Sequence, residues 1–271
     1  MDIIRTISQE LNIKTWQAEA AIKLIDEGNT IPFIARYRKE VTGSLNDEVL
    51  RQFHERLLYL RNLEDKKAQV MSSIKEQGKL TPELKRAIEV AETMVAVDDL
   101  YRPYRPKRRT RATIAKEKGL EPLANILLLQ MMKKPLIEEA TAYISDEKGV
   151  ASAEEALEGA KDILAERIAE TAEYRTYIRK ATFQEGSLDS SARDGNAESV
   201  YEMYYQYEEP IKKAAGHRIL ALNRGEEEKF LTVKIAAPEE QIIQYLERKV
   251  LTKDNPYTTP VLKEVIADSY S

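Results

Sequence analysis

The chain has 271 residues, of which 42% are hydrophobic and 32% are charged, and its formal net charge is -4. This composition suffices for one large domain or two ordinary ones and carries too much charge for a membrane protein. The absence of cysteine excludes disulfides, thiolate nucleophiles and cysteine-bound metals.

The hydropathy pattern of the sequence indicates neither a membrane span nor a signal peptide. No apolar run approaches the roughly 18 to 20 residues that span a bilayer. The start, MDIIRTISQELNIKTW, is amphipathic and lacks the basic and apolar regions of a signal peptide. We therefore expect a cytoplasmic protein that does not contact membranes.

The first half of the chain is predicted to consist of helices. Apolar residues recur at helical spacing from Thr15 to Gly28 and again from Leu45 to Gly78. The second pattern predicts one helix of about 30 residues or two helices with a bend near Asn62. The next helix is predicted to start at Pro82, with Thr81 as its N-cap.

The stretch IPFIARYRKEVTGSLND, residues 31–47, alternates apolar and basic residues between two predicted helices. We interpret it as a helix junction first and as a binding rim second. Its apolar residues are expected to lie in the core: Ile31, Phe33, Ile34 and Val41. Its basic residues are expected to project to one rim: Arg36, Arg38 and Lys39.

A strongly basic span covers residues 102–118, with eight basic residues and one acidic residue, Glu117. Pro103 and Pro106 prevent a regular helix there, so its first part is predicted to be a loop. Basic side chains beside Tyr104 suit phosphate contacts with occasional base stacking. The alternative is a solvated loop beside acidic neighbours such as Asp98 and Asp99. The candidate nucleic-acid-binding residues of this span are Arg102, Arg105, Lys107, Arg108, Arg109, Arg111, Lys116 and Lys118.

Two segments have the spacing of a helix-turn-helix, ISQELNIKTWQAEAAIKLI and TIAKEKGLEPLANIL. Two short helices around a tight turn also serve as plain packing. The second helix of the later segment is poor in residues that read base edges. The pattern therefore predicts helix-turn-helix-like elements without establishing contact with bases.

The second half of the chain contains more helices and one β signal. Ser152 is predicted to cap a helix, and another helix is predicted to end at Gly186. The polar segment EGSLDSSARDGNAES reads as a mobile connection, and RILAL and FLTVKI are predicted to form a β-hairpin at about 218–235. Two final helices follow. The predicted fold is all-α with one small β-hairpin, divided into domains 1–186 and 187–271.

The search for catalytic motifs gives no candidate. The sequence lacks GxxxxGK[ST], GxGxxG, HExxH and GxSxG, and neither His54 nor His217 has an evident orienting partner. We predict no catalytic residue, no metal site and no cofactor.

Several segments closely resemble the N-terminal part of bacterial Tex, the transcription accessory protein family. They are IPFIARYRKEVTGSLND, LEDKKAQVMSSIKEQGKLTPEL, DDLYRPYRPKRRTRATIAKEKGLEPLA, EGAKDILAERIAE and HRILALNRGEEEKFLTVKI. The match covers nearly the whole chain in the family's order. It implies a helical, multidomain, cytoplasmic protein that binds nucleic acid. It also implies that the family's ribonuclease-H-like, helix-hairpin-helix and C-terminal OB-fold RNA-binding domains lie beyond this chain.

We therefore expect a non-enzymatic module that binds RNA or DNA weakly and without sequence specificity. The alternative is an architectural or protein-interaction module that contacts the rest of its own chain, RNA polymerase or ribosome-associated proteins. Exposed apolar residues on the last helices would favour this alternative. The residues concerned are Ile242, Tyr245, Leu246, Val261 and Val265.

Overall fold

The computed structural model describes residues 2–105 and 109–271. The chain divides into two compact units, Met1–Tyr104 and Arg105–Ser271. The division expected between residues 186 and 187 stays a prediction about domain organisation. In the described parts of the chain, no helix is long and apolar enough to cross a membrane.

The first unit is helical. Its longest helix, α5, is a single helix of 30 residues, so the alternative with a bend near Asn62 is wrong. Its inner face supplies the centre of the core, with Phe53, Leu60 and Ile74 fully buried. The helices of this unit are α1 (Ile3–Glu10), α2 (Thr15–Asp26), α3 (Ile31–Tyr37), α4 (Lys39–Thr42), α5 (Asp47–Glu76), α6 (Pro82–Val90) and α7 (Met94–Tyr101).

Local sequence signals position these helices. The Thr81 hydroxyl accepts a hydrogen bond from the Leu84 amide and Pro82 opens α6, which confirms the predicted cap. The Asn46 side chain accepts a hydrogen bond from the Val49 amide and starts α5. Helices α1 and α3 pack against α5, and α2 packs against α1, α3 and α4.

The second unit is built around α11, which packs against α8, α9, α10 and α15. Its core includes Leu123, Ile163 and Leu164. The helices of this unit are α8 (Arg111–Glu117), α9 (Glu121–Leu129), α10 (Leu136–Ala140), α11 (Ala153–Glu170), α12 (Ala172–Glu185), α13 (Gly216–Glu227), α14 (Glu239–Val250) and α15 (Thr259–Tyr270).

A small antiparallel sheet and α13 form a separate cluster within the second unit. Strand β1 (Ser187–Ala192) lies between β2 (Gln206–Pro210) and β3 (Leu231–Ala236), and Ser190 is opposite both Tyr207 and Val233. Helix α13 packs on β3. The buried residues of this small core are Tyr201, Tyr204, Leu222 and Leu231.

The mainly helical fold is confirmed, but its β region differs from the predicted hairpin. Residues 216–227 form α13, so RILAL is helical, and FLTVKI supplies β3. The helix propensities of Arg, Leu and Ala favour this outcome, and only Leu222 and Gly225 of α13 are buried. The predicted mobile connection is wrong for residues 187–192, which form the central strand. Small side chains suit that position because Ser190 is buried and its hydroxyl donates to the Tyr204 carbonyl.

The last two helices bury the apolar residues whose exposure would have favoured the protein-interaction alternative. Ile242, Leu246 and Val265 are buried in the core that α11 shares with α14 and α15, and Tyr245 and Val261 pack against it. Those residues therefore give no support to the protein-interaction alternative.

Candidate nucleic-acid interface

The predicted basic residues of the first unit do not form one continuous patch. Arg36 and Arg102 lie at opposite ends of α5. Arg36 lines a depression together with Asp47 and Arg51, in the first turns of α5. Arg102 follows α7 in a 3-10 turn, and the carbonyl of Tyr104 in that turn accepts a hydrogen bond from Gln77, just beyond the end of α5. A helix of this length spans about 45 Å, so Arg36 and Arg102 cannot contact the same phosphate.

The surface around α3 and α4, for which the sequence predicts a binding rim, is called the binding rim below and comprises Phe33, Arg36, Tyr37, Arg38 and Lys39. Arg36 and Lys39 are exposed and line a depression of about 580 Å³, bounded on its other side by the start of α5. Among the residues that the structure describes, neither has a carboxylate partner. Their charges are therefore available to an external anion.

Arg38 is placed differently from its two basic neighbours. It ends α3, its side chain donates to the Tyr37 carbonyl at 3.0 Å, and its guanidinium lies 4.9 Å from the centre of the Phe33 ring. Arg38 is half-buried, and its side chain is held by a backbone hydrogen bond and an aromatic contact. It contributes positive charge to the rim with less freedom than Arg36 or Lys39.

Of the four apolar residues of this stretch that were expected to lie in the core, only some do so. Ile34 is fully buried, whereas Ile31 and Phe33 are half-buried and Val41 is exposed. The expectation that Val41 is a core residue is wrong. The reason is that α3 is followed by a separate short helix, α4, which presents only Thr42 to the interior.

The basic span of the second unit is compensated partly by its own Glu117 and mostly by acidic residues that are remote in sequence. Among the residues that the structure describes, its ion pairs include Arg109 with Glu117 at 3.0 Å, Arg111 with Asp162 at 3.3 Å and Asp268 at 3.4 Å, Lys116 with Glu166 at 4.0 Å, and Lys118 with Glu155 at 2.5 Å. The effective charge of the span is therefore lower than its sequence indicates.

Arg111 shows how α8 is held to α11 and α15. Its side chain is 73% exposed, yet it lies between two carboxylates on different helices. Burial raises the pKa of Asp162, and the Arg111 guanidinium acts in the opposite direction. Arg111 thus stabilises a pair of like charges, and binding a phosphate there requires it to leave at least one of them.

Three further candidate residues of the basic span remain: Arg105, Lys107 and Arg108. Arg105 is exposed at the start of the second unit. Lys107 and Arg108 lie outside the described residues, so their part in the prediction stays a prediction.

Both helix-turn-helix-like elements are present. Helices α8 and α9 meet at Gly119, which has a φ of 79°, and α1 and α2 are joined by a short turn. Leu123, Ala124 and Leu127 of α9 are fully buried against the second core. Because a recognition helix must present polar side chains to a groove, α9 acts as a packing element.

The described chain contains no side-chain cluster that could hold a metal ion. Residues 2–105 and 109–271 contain no group of three or more histidine, aspartate or glutamate residues that could hold a metal ion. His54 and His217 are both exposed on helices.

Comparison with known proteins gives a consistent family. The Tex-like protein N-terminal domain family matches residues 1–75, and the Tex central region-like family matches residues 132–262. The chain is 46% identical to the uncharacterized protein YdcI of Bacillus subtilis over 267 residues, which is 97% of this chain and 37% of that protein.

Two further relatives carry more descriptive names. The transcriptional accessory protein Tex of Neisseria gonorrhoeae is 45% identical over 237 residues, 87% of this chain and 31% of that protein. The human S1 RNA-binding domain-containing protein 1 is 32% identical over 244 residues, 86% of this chain and 24% of that protein. This chain spans about a third of the length of the two bacterial relatives. Both family matches and these relatives agree with the resemblance found in the sequence, and the chain belongs to the Tex family.

Proposed function

We propose that this chain is a non-enzymatic module of a transcription accessory factor that binds the phosphates of RNA or DNA without sequence specificity. The relatives named for transcription and for RNA binding support this role. The proposed role also includes a cytoplasmic location, because bacterial transcription takes place in the cytoplasm. A nuclease assay tests the non-enzymatic part: cleavage that survives purification would contradict it.

The observation that carries the proposal is the unpaired charge of the binding rim. Arg36 and Lys39 line one side of the depression beside α5 and have no carboxylate partner in the described chain. A phosphate that binds there displaces water and counterions but breaks no ion pair. Release of counterions is the main source of affinity in sequence-independent binding.

The paired cations of the second unit are expected to contribute less. A phosphate at Arg109 or Lys118 has to compete with Glu117 or Glu155. Exposed ion pairs are weak, typically about 0.2 to 1 kcal/mol, so these residues still add to the attraction at low salt. Arg102 is exposed and, within the described residues, has no carboxylate partner, so it forms a second contact point at the far end of α5.

The test is the salt dependence of binding to labelled RNA and DNA, measured by fluorescence anisotropy at about 50 mM and about 200 mM salt. The R36Q/K39Q double variant is expected to weaken binding to all sequences and to reduce the salt slope by about two. The control is K212Q/K213Q, which removes the same charge from two exposed lysines of the second unit.

The outcomes separate clearly. A loss of affinity and slope in R36Q/K39Q but not in K212Q/K213Q supports the rim as the phosphate site. Equal effects in both variants would mean that net charge alone causes binding. A failure of the unmodified chain to bind at low salt would contradict the function itself.

A second candidate function has its own observation. Four apolar side chains of the sheet, its neighbouring turns and α13 are well exposed: Val200 at 84%, Met203 at 72%, Leu220 at 70% and Ile235 at 63%. Such residues favour a protein-interaction or architectural role, with RNA polymerase or ribosome-associated proteins as candidate partners. Co-purification with RNA polymerase or ribosomes that is lost in L220K, and not in K212Q/K213Q, would support it.

A further inference from the structure

An aromatic edge accompanies the positive charges of the binding rim. Phe33 and Tyr37 lie one turn apart on α3, with ring centroids 5.3 Å apart. Tyr37 is 55% exposed. Since Ile34 alone takes the core position of α3, both rings lie outside the buried interior.

Each ring has a guanidinium beside it. The Arg36 guanidinium lies 6.0 Å from the centre of the Tyr37 ring, and that of Arg38 lies 4.9 Å from the centre of the Phe33 ring. A nucleotide carries its phosphate close to its base. One aromatic ring with an adjacent guanidinium can therefore bind both groups of the same nucleotide.

We infer that the binding rim is a site for single-stranded nucleic acid, with an unpaired base stacked on Tyr37 and the flanking phosphates at Arg36 and Lys39. This inference rests on the proposed function and specifies its substrate. In a duplex, both faces of each base are already covered by neighbouring bases, whereas unpaired bases can stack on aromatic side chains. The exposed ring thus discriminates single strands from duplexes, while the cations alone do not.

The ring also distinguishes nucleic acid from an acidic protein segment. A run of carboxylates could occupy Arg36 and Lys39 but would gain little from the face of Tyr37. Stacking on an aromatic side chain tolerates any base, which agrees with binding that has no sequence preference. RNA and DNA single strands share this chemistry, so the experiment compares both.

The test measures binding of oligouridylate, oligothymidylate, a duplex and polyglutamate to the full chain and to three variants. Y37L removes the ring, Y37F keeps it, and F183L removes a comparably exposed ring of α12. Trp16, the single tryptophan of the chain, packs on Gly43 at the end of α4. Its unchanged emission shows that each variant keeps the fold around the rim.

The expected result is that Y37L weakens single-strand binding by between about fivefold and about a hundredfold, as loss of one stacked base entails. Its salt slope should stay unchanged because no cation is removed. Y37F and F183L should bind like the unmodified chain, and a duplex should be insensitive to Y37L. The RNA and DNA arms show which single strand binds more tightly.

Two results would overturn the inference. One is salt-dependent binding that R36Q/K39Q abolishes but that Y37L leaves intact, which would keep the proposed phosphate contacts and remove the stacked base. The other is tighter binding of polyglutamate than of the oligonucleotides, which would assign the rim to an acidic protein segment. Absence of binding to any nucleic acid would instead refute the proposed function, and with it this inference.

Discussion

The Arg56 guanidinium on α5 binds both carboxylate oxygens of Glu10 on α1, with two nitrogen–oxygen distances of 2.6 Å. Arg61, further along α5, binds Asp26 at the end of α2 in the same way, at 2.7 and 2.8 Å. The two arginines thus tie the first two helices to the long helix that supports the binding rim.

Because of these two ion pairs, the free energy of unfolding of the first unit is expected to depend on pH in the acid range. Hydrogen bonds from the arginines lower the pKa of Glu10 and that of Asp26 in the folded chain. Their stabilisation is fully present above the unfolded carboxyl pKa values of about 4 and is lost as the pH falls through the lower folded values. Because both pairs are partly exposed and screened, each contributes less than about 1 kcal/mol.

The measurement is urea unfolding of the first unit, followed by Trp16 emission, at about pH 7 and about pH 3. The R56Q/R61Q variant is expected to be less stable at neutral pH and to lose less stability on acidification than the unmodified chain. R86Q, an exposed arginine of α6, is the control. Equal acid losses in R56Q/R61Q and in the unmodified chain would show that the pairs do not cause the dependence.

Replacement of Gly43 by alanine is expected to destabilise the first unit. Gly43 has a φ of 63°, and a Cβ there would lie 2.5 Å from the Trp16 ring. The backbone strain costs about 1 to 2 kcal/mol, and displacement of the indole adds about 1 to 3 kcal/mol. Gly28 has a φ of 85° with open space around it, so G28A carries the backbone cost alone.

The comparison of G43A with G28A isolates the ring contact. G43A should lower the free energy of unfolding by more than G28A and should shift the emission of Trp16. If both variants lose the same stability with unchanged emission, the packing of Trp16 on Gly43 is not a stabilising contact.

Replacement of Gly159 in α11 by alanine is expected to destabilise the protein, although alanine usually stabilises a helix relative to glycine. Alanine normally stabilises a helix interior by about 0.8 to 1.0 kcal/mol relative to glycine. Here a Cβ would lie 2.4 Å from Cδ1 of Leu120 and 3.2 Å from Cβ of Ala115. Since overpacking costs about 1 to 3 kcal/mol, G159A should destabilise the second unit.

Thermal unfolding followed by far-UV circular dichroism measures this effect. G216A, at the start of α13 with nothing near its Cβ position, is the matched control and should be neutral or slightly stabilising. Stabilisation by G159A would mean that α8 and α11 can separate at little cost.

A clamp between Arg218 and Glu209 is expected to hold α13 against the sheet. Arg218 donates to both carboxylate oxygens of Glu209, one of them at 3.0 Å, and the Tyr207 hydroxyl donates to the same carboxylate at 2.6 Å. These hydrogen bonds, with that of Arg218 first, lower the pKa of Glu209. The clamp is therefore present above the ordinary carboxyl range and weakens as the pH falls through the folded pKa.

Hydrogen exchange of α13 amides measures the clamp. R218Q should speed exchange in α13 and make it insensitive to mild acid after correction for the intrinsic rate. R224Q, an exposed arginine on the same helix, should leave exchange unchanged. Slow exchange of α13 in R218Q would show that Leu222 and Gly225 hold the helix without the ion pair.

Most helices could be predicted because their signals are local. Apolar spacing indicates α2, α5, α6 and α11 within the segment itself, and a side-chain cap starts three of them: Asn46 for α5, Thr81 for α6 and Ser152 for α11. The sheet could not be predicted, because Ser190 becomes part of a central strand only through two neighbours that lie 17 and 43 positions further on. The helix α13 was missed since a short apolar run is compatible with either strand or helix.

The family, the helical class and the basic residues within positions 36 to 39 and 102 to 118 follow from the amino-acid sequence alone. Which of those charges are available to a ligand depends on how the helices pack. Arg111 meets Asp162 and Asp268 because α8 and α15 both pack against α11, whereas Arg36 and Lys39 meet no carboxylate in the described chain. Charge compensation depends on distances in space between residues far apart in sequence. It is therefore a property of packing that composition cannot express.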